Sequence, residues 1–182
     1  MFIETETTPN PATLKFLPGR AVMARGTANF TDAEAAAPSP LATQLFALPD
    51  VTGVFLGADF VTVTKDAAAD WSRLKTEILG VLVKFFTSGA PVLVEGAAAP
   101  AENAGADGEI VLRIKELLEQ RVRPAVAQDG GDILFHDFAD GVVYLRMQGA
   151  CSGCPSSTAT LKAGVENLLR HYIPEVQEVR AI

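Results

Sequence analysis

Residues 96–107, GAAAPAENAGAD, contain no large apolar side chain. A stretch that cannot contribute to a core has to run outside one, so a chain of 182 residues interrupted in this way divides into two small folding units. The expected arrangement is a domain at 1–95, a flexible Ala/Gly-rich linker at 96–107, and a second domain at 108–182. Such a tether spans roughly 20 Å, at about 5–6 Å × √n, and leaves both domains free to reorient.

Each half alternates strand and helix patterns, which makes the fold class α+β, two small mixed domains. In the first, Phe2–Thr7 and Thr13–Leu17 read as strands around the turn signal TPNP. A short helix is expected over Leu41–Leu48 after Ser39-Pro40, then a hairpin, Val51–Leu56 and Phe60–Thr64, around Gly57-Ala58-Asp59. Trp71, Leu74, Ile78, Val81, Leu82 and Phe85 recur at three and four, the stripe with which a helix covers a sheet. The second domain reads α-β-β-α-β. Its first helix carries Ile110, Ile114, Leu117, Leu118 and Val122, with Pro124 as its end or a kink. Leu134–Phe138 and Val142–Met147 are strands joined at Asp140-Gly141. A helix over 156–172 presents Leu161, Val165, Leu168 and Tyr172, and Val176–Ile182 is a last strand.

The net charge of −7 is split almost evenly between the halves, and neither offers the basic face that a phosphate backbone requires. Nucleic acid is therefore not an expected partner. The longest apolar run, Gly80 to Phe86, is broken by Lys84 and too short to span a bilayer, so no membrane association is expected. The opening MFIETETTPNP is acidic and poor in arginine, which predicts a cytoplasmic chain. No paired catalytic acids, activated serine or Gly-rich phosphate loop are apparent, so no enzyme activity is expected.

Both cysteines fall in one C-x-x-C, within Gly149-Ala150-Cys151-Ser152-Gly153-Cys154-Pro155-Ser156-Ser157. Two intervening residues let both sulfurs face one metal. Gly149 and Gly153 remove side chains that would crowd a cluster, and Pro155 suits the first position of a helix. A helix N-terminus beside the sulfurs is expected to lower the thiol pKa. Three chemistries fit this spacing. A cysteine-only iron–sulfur cluster needs four thiolates, so two chains would share it. A dithiol oxidoreductase also places C-x-x-C at a helix start, but about 28 residues after the motif are too few for a thioredoxin fold. A zinc site would need His136 and His171, and the latter is placed roughly 24 Å along the helix from the cysteines.

Three segments, VRPAVAQDGGDI (122–133), VVYLRMQGACSGCPSS (142–157) and TLKAGVENLLRHYIPEV (160–176), resemble the C-terminal domain of the NifU/Nfu iron–sulfur proteins. The opening TPNPATLKFLPG (8–19), together with the remainder of the first domain to about residue 95, resembles the Nfu N-terminal domain. The resemblance implies a scaffold or carrier that holds a cluster through Cys151 and Cys154, [4Fe–4S] ahead of [2Fe–2S], bridging a homodimer. It implies upstream cluster-assembly proteins and recipient apoproteins as partners. Full-length NifU has further cysteine-bearing assembly and ferredoxin-like domains, and no cysteine remains here for either, so a late carrier role is the expectation. Asp129 and Asp132 flank Gly130-Gly131 and read as turn formers. Arg121 and Arg123 are expected to pair locally, and Pro9-Asn10-Pro11 to fix a surface turn.

Overall fold

The protein is described as a computed structural model, covering residues 1–94, 108–153 and 155–182. The chain separates into two compact units, Met1–Ala99 and Pro100–Ile182. The linker expected at 96–107 lies outside the described residues.

Unit 1 is built on five antiparallel strands: β1 (Glu4–Thr7), β2 (Thr13–Leu17), β3 (Ala28–Phe30), β4 (Val51–Leu56) and β5 (Val61–Lys65), in spatial order β1-β2-β5-β4-β3. Helix α1 (Pro40–Phe46) starts where Ser39 Oγ accepts from the Ala42 amide at 3.1 Å, with proline at the first helical position. Helix α2 (Trp71–Ser88) is capped by Asp70 and stops at Gly89 in the left-handed conformation, φ 71°. The expected apolar stripe forms the core contact: Leu74, Ile78, Leu82 and Phe85 are buried with Leu14, Phe16, Val54, Leu56, Val61 and Val63 of the sheet. Each such side chain contributes roughly 1.5–3 kcal/mol by leaving water.

The TPNP turn is more firmly held than a surface turn. Asn10 is buried, its Oδ1 accepts from the Ala12 amide at 3.0 Å, and Trp71 Nε1 donates to the Pro11 carbonyl at 3.0 Å. β3 is not expected from sequence; its three residues are too few to show alternation.

Unit 2 begins with α3 (Glu109–Leu117), which runs through a π turn (Leu118–Val122) into α4 (Arg123–Gln128). Pro124 has no N–H for the Gln120 carbonyl and its ring crowds that carbonyl, so the helix widens by a residue and continues. The buried residues Ile114, Leu118, Val122 and Val126 recur strictly at four, a spacing that drifts around an α-helix and that the wider turn rewinds.

Strands β6 (Gly131–Ala139) and β7 (Val142–Gly149) form an antiparallel hairpin through Asp140-Gly141, both in the left-handed region (φ 52° and 76°) as its two-residue turn requires. Helix α5 (Pro155–Tyr172) then crosses to β8 (Glu178–Ala181), which pairs parallel to β7 and gives the order β6-β7-β8. One assignment on α5 changes. Val165, Leu169 and Ile173 enter the core, whereas Tyr172 is 42% exposed with Arg121 stacked on its ring at 5.3 Å. No described helix is long and apolar enough to cross a membrane.

Candidate functional site

The cysteine loop joins β7 to α5, at the point where a parallel β-α-β connection leaves the sheet. Gly149 and Gly153 both sit at positive φ, 65° and 79°, which lets the chain reverse sharply after the strand. Ser152, Gly153, Pro155 and Ser156 are exposed. Cys151 is not: it is 6% exposed and packs with Ile133, Met147 and Val165 in the unit 2 core. The loop is at the surface, but its first cysteine belongs to the interior. Cys154 lies outside the described residues.

The floor beneath Cys151 is the Gly130-Gly131 turn. A methyl group on Gly131 would stand 2.5 Å from Cys151 Sγ, 2.8 Å from the Gln148 carbonyl and 3.0 Å from the Cys151 amide nitrogen. Glycine is required there by the thiol together with the backbone of Gln148 and Cys151. The turn and loop are stitched together by the Ala150 amide, which donates to the Gly130 carbonyl at 3.2 Å, and Thr158 Oγ1 on α5 donates to the Cys151 carbonyl at 3.1 Å.

Asp132, read from sequence as a turn former, proves to be 3% exposed and held in a two-pronged ion pair. Arg123 Nε and Nη2 donate to its two carboxylate oxygens at 2.9 Å each, and the Ile133 amide donates to Oδ1 at 2.8 Å. Glu119 takes the remaining Arg123 nitrogen, Nη1. Burial works against the guanidinium charge, but Asp132 and then Glu119 outweigh it, and Arg123 stays firmly protonated. Removing Arg123 would strand the buried Asp132 carboxylate, at a cost of about 3–5 kcal/mol. Local pairing of Arg123 is as the sequence suggests. The burial of Asp132 carries no sequence signal, because a short acid beside two glycines is what any exposed turn would show.

The thiol pKa departs from expectation. Instead of being lowered, Cys151 is pushed up from its ordinary 9.0 to about 11, first by burial and then by the negative charges of Asp129 and Asp132. The helix starts only at Pro155, and a dipole effect that fades within one turn does not overcome desolvation at Cys151. A metal binding here has to displace the proton.

The zinc reading finds no support in geometry. His136 is exposed, at the register shift between Phe135 and Asp137, and His171 is exposed in the last turn of α5, its ring against Tyr172. Among the described residues no three of His, Cys, Asp and Glu come together in a way that could hold a metal ion.

Comparison with known proteins covers both units. Residues 3–89 match the family model described as scaffold protein Nfu/NifU N terminal, and residues 114–180 match the NifU-like domain. The chain is 52% identical over 184 aligned positions to the NFU1 iron-sulfur cluster scaffold homolog, mitochondrial, of Drosophila erecta, covering 100% of this chain and 65% of that protein. It is 50% identical to NifU-like protein 4, mitochondrial, of Arabidopsis thaliana, covering 98% of this chain and 65% of that protein. The chain thus spans just under two-thirds of the length of these relatives. Among solved structures, a NifU-like protein from Saccharomyces cerevisiae matches with TM-score 0.43 and 32% identity, over 52% of this chain and 86% of that one. The cytoplasmic placement read from the opening residues is overturned, since relatives that match the chain from end to end are designated mitochondrial. With an Nfu-type unit followed by a NifU-like unit that carries the C-x-x-C, the chain belongs to the Nfu/NifU family.

Proposed function

We propose that this protein takes up an iron–sulfur cluster through Cys151 and Cys154 and passes it to apoproteins that require one. The cluster is cargo. Support comes from the scaffold role that the relatives' names carry and from the sequence between β7 and α5, which brings two soft sulfur donors into one short chain reversal. The finer reading is a [4Fe–4S] cluster bridging two copies of the chain. Cysteine-only ligation needs four thiolates, this sequence has two cysteines, and no metal-binding trio lies among the described residues. Upstream assembly proteins would load the cluster, and the role is carriage rather than catalysis. Residues 108–182 form the cluster-binding domain, with 1–95 as the Nfu-type N-terminal domain and 96–107 as the tether.

The observation that carries this reading is the placement of Cys151, fixed against Gly131 at the rim of the core while Ser152 and Gly153 after it face solvent. A rigid first ligand beside an accessible loop suits a group that must be both held and handed over. Reconstitution with iron and sulfide without oxygen should give a brown protein with about two irons per chain. Because the site is complete only in the dimer, loading should drive dimerisation, and a chelator should reverse colour and assembly together. Cys151→Ser or Cys154→Ser should abolish both. A fully loaded monomer would overturn the bridging model, and a colourless protein that reduces disulfides catalytically would replace cluster carriage with dithiol chemistry.

A further inference from the structure

We infer that the half-buried Arg123–Asp132 pair is a positioning device for the Cys151 thiol, acting through the turn that ends in Gly131. The purpose assigned to it rests on the cluster-carrying reading; the geometry does not. Arg123 opens α4 and Asp132 is the second residue of β6, so the pair clasps the loop between them from both sides. Inside that clasp are the two residues that touch the cysteine loop. The Gly130 carbonyl receives the Ala150 amide, and Gly131 leaves so little space that the thiol lies directly over its backbone.

The forked geometry matters as much as the charge. Two parallel N–H···O bonds fix the orientation of the Asp132 carboxylate, whose Oδ1 also receives the Ile133 amide at the start of β6. The strand and the floor under Cys151 are thereby set as one piece. Thr158 on α5 holds the Cys151 carbonyl from the other side, so the residue is gripped between the turn and the helix. The π turn forced by Pro124 comes immediately before Arg123 and changes the angular position of every residue after it, Arg123 first among them. Loss of the fork would release the turn, and with it both the floor and the tie that fix the thiol at the rim of the core. Arg123 and Asp132 touch no cargo in this reading. They act through Gly131.

The test uses the full chain carrying Cys154→Ser, so that Cys151 is the one thiol, and follows its alkylation by iodoacetamide. Arg123→Lys, Asp132→Glu and Gly131→Ala all conserve formal charge, so a rate change reports access to the sulfur rather than a changed field. Val143→Ala, a core truncation of β7 remote from the pair, serves as the stability control. Folding of each variant is checked by circular dichroism. Arg123→Lys and Gly131→Ala should raise the alkylation rate about tenfold, the scale expected when a charge-assisted fork is lost or a methyl group forces the thiol off its floor. Hydrogen exchange at the Ala150 amide should accelerate with Arg123→Lys, and Val143→Ala should change neither. With both cysteines present, the same two variants should lose a reconstituted cluster about tenfold faster than the parent. If Arg123→Lys fails to fold, Asp132→Glu takes its place. Folded pair variants that label as slowly as the parent, or a Val143→Ala chain that labels as fast as they do, would overturn the inference. A parent chain that binds no cluster would remove the cargo reading, and the labelling result would still decide whether the pair positions the thiol.

Discussion

The two units solve the same packing problem with different degrees of regularity. In unit 1, five antiparallel strands and two capped helices surround a core in which Phe16, Leu41, Leu45, Ile78 and Leu82 are fully buried. Its exceptions, the left-handed Asp50 and the register shift after Val51, lie together at the start of β4. Unit 2 has a smaller sheet and gathers its irregularities around the cysteine loop: a π turn, a buried aspartate forked by an arginine, a turn of two glycines and a thiol packed into the core. Regular sequence-to-structure agreement marks a scaffold, and a cluster of local exceptions marks the place where something other than stability was being arranged.

The strongest way to break this contrast is to separate the halves. A fragment of residues 108–182 should fold and take up all of the cluster on reconstitution, and a fragment of residues 1–94 should take up none. At about 75 residues the former should be only modestly stable. Circular dichroism that shows it unfolded would mean the chemistry depends on unit 1 after all. Next in size is Phe16→Ala, at the centre of the regular sheet, which should destabilise unit 1 by about 3–5 kcal/mol in urea denaturation. Iron content of the reconstituted chain should not change, and a parallel loss of iron would show the units to be coupled. Ser39→Ala should cost about 1–3 kcal/mol. It removes the acceptor for the Ala42 amide and a donor 2.6 Å from the Val92 carbonyl, in a site with no access to water. The smallest effect belongs to Trp71→Phe, which keeps an aromatic ring but loses the bond to the Pro11 carbonyl. It should lower unit 1 stability by about 0.5–1.5 kcal/mol, read as a small shift of the urea midpoint; no shift would mean that the TPNP turn holds itself.

Legibility from sequence divides along the same line. The α2 stripe, the β4–β5 hairpin, the Asp140-Gly141 turn and the α-β-β-α-β order of unit 2 are readable because each is a local pattern with a fixed period or turn chemistry. Tyr172 reads as a core residue because periodicity says which residues share a helix face, not where that face ends. Leu169 and Ile173 take the inner positions instead. Pro124 announces a disturbance, and only the packing of Val126 explains why the helix widens instead of stopping. The cysteine motif is visible at once. The depth of Cys151 is not, since it depends on Gly131, about twenty residues earlier in the chain and brought beneath it by strand register, Gly131 lying opposite Gly149.

The parallel pairing of β8 with β7 bears on the order of events at the ribosome. Val142–Leu145 find their partners in Glu178–Ala181, with all of α5 between them, so this ladder is a long-range contact that cannot be made early. Unit 1 has every strand in hand by Lys65 and its covering helix by Ser88, and can complete itself while the rest of the chain is still being synthesised. The sheet beneath the thiol loop is finished only after Ala181 has emerged from the exit tunnel, so the cysteine site takes shape later than unit 1.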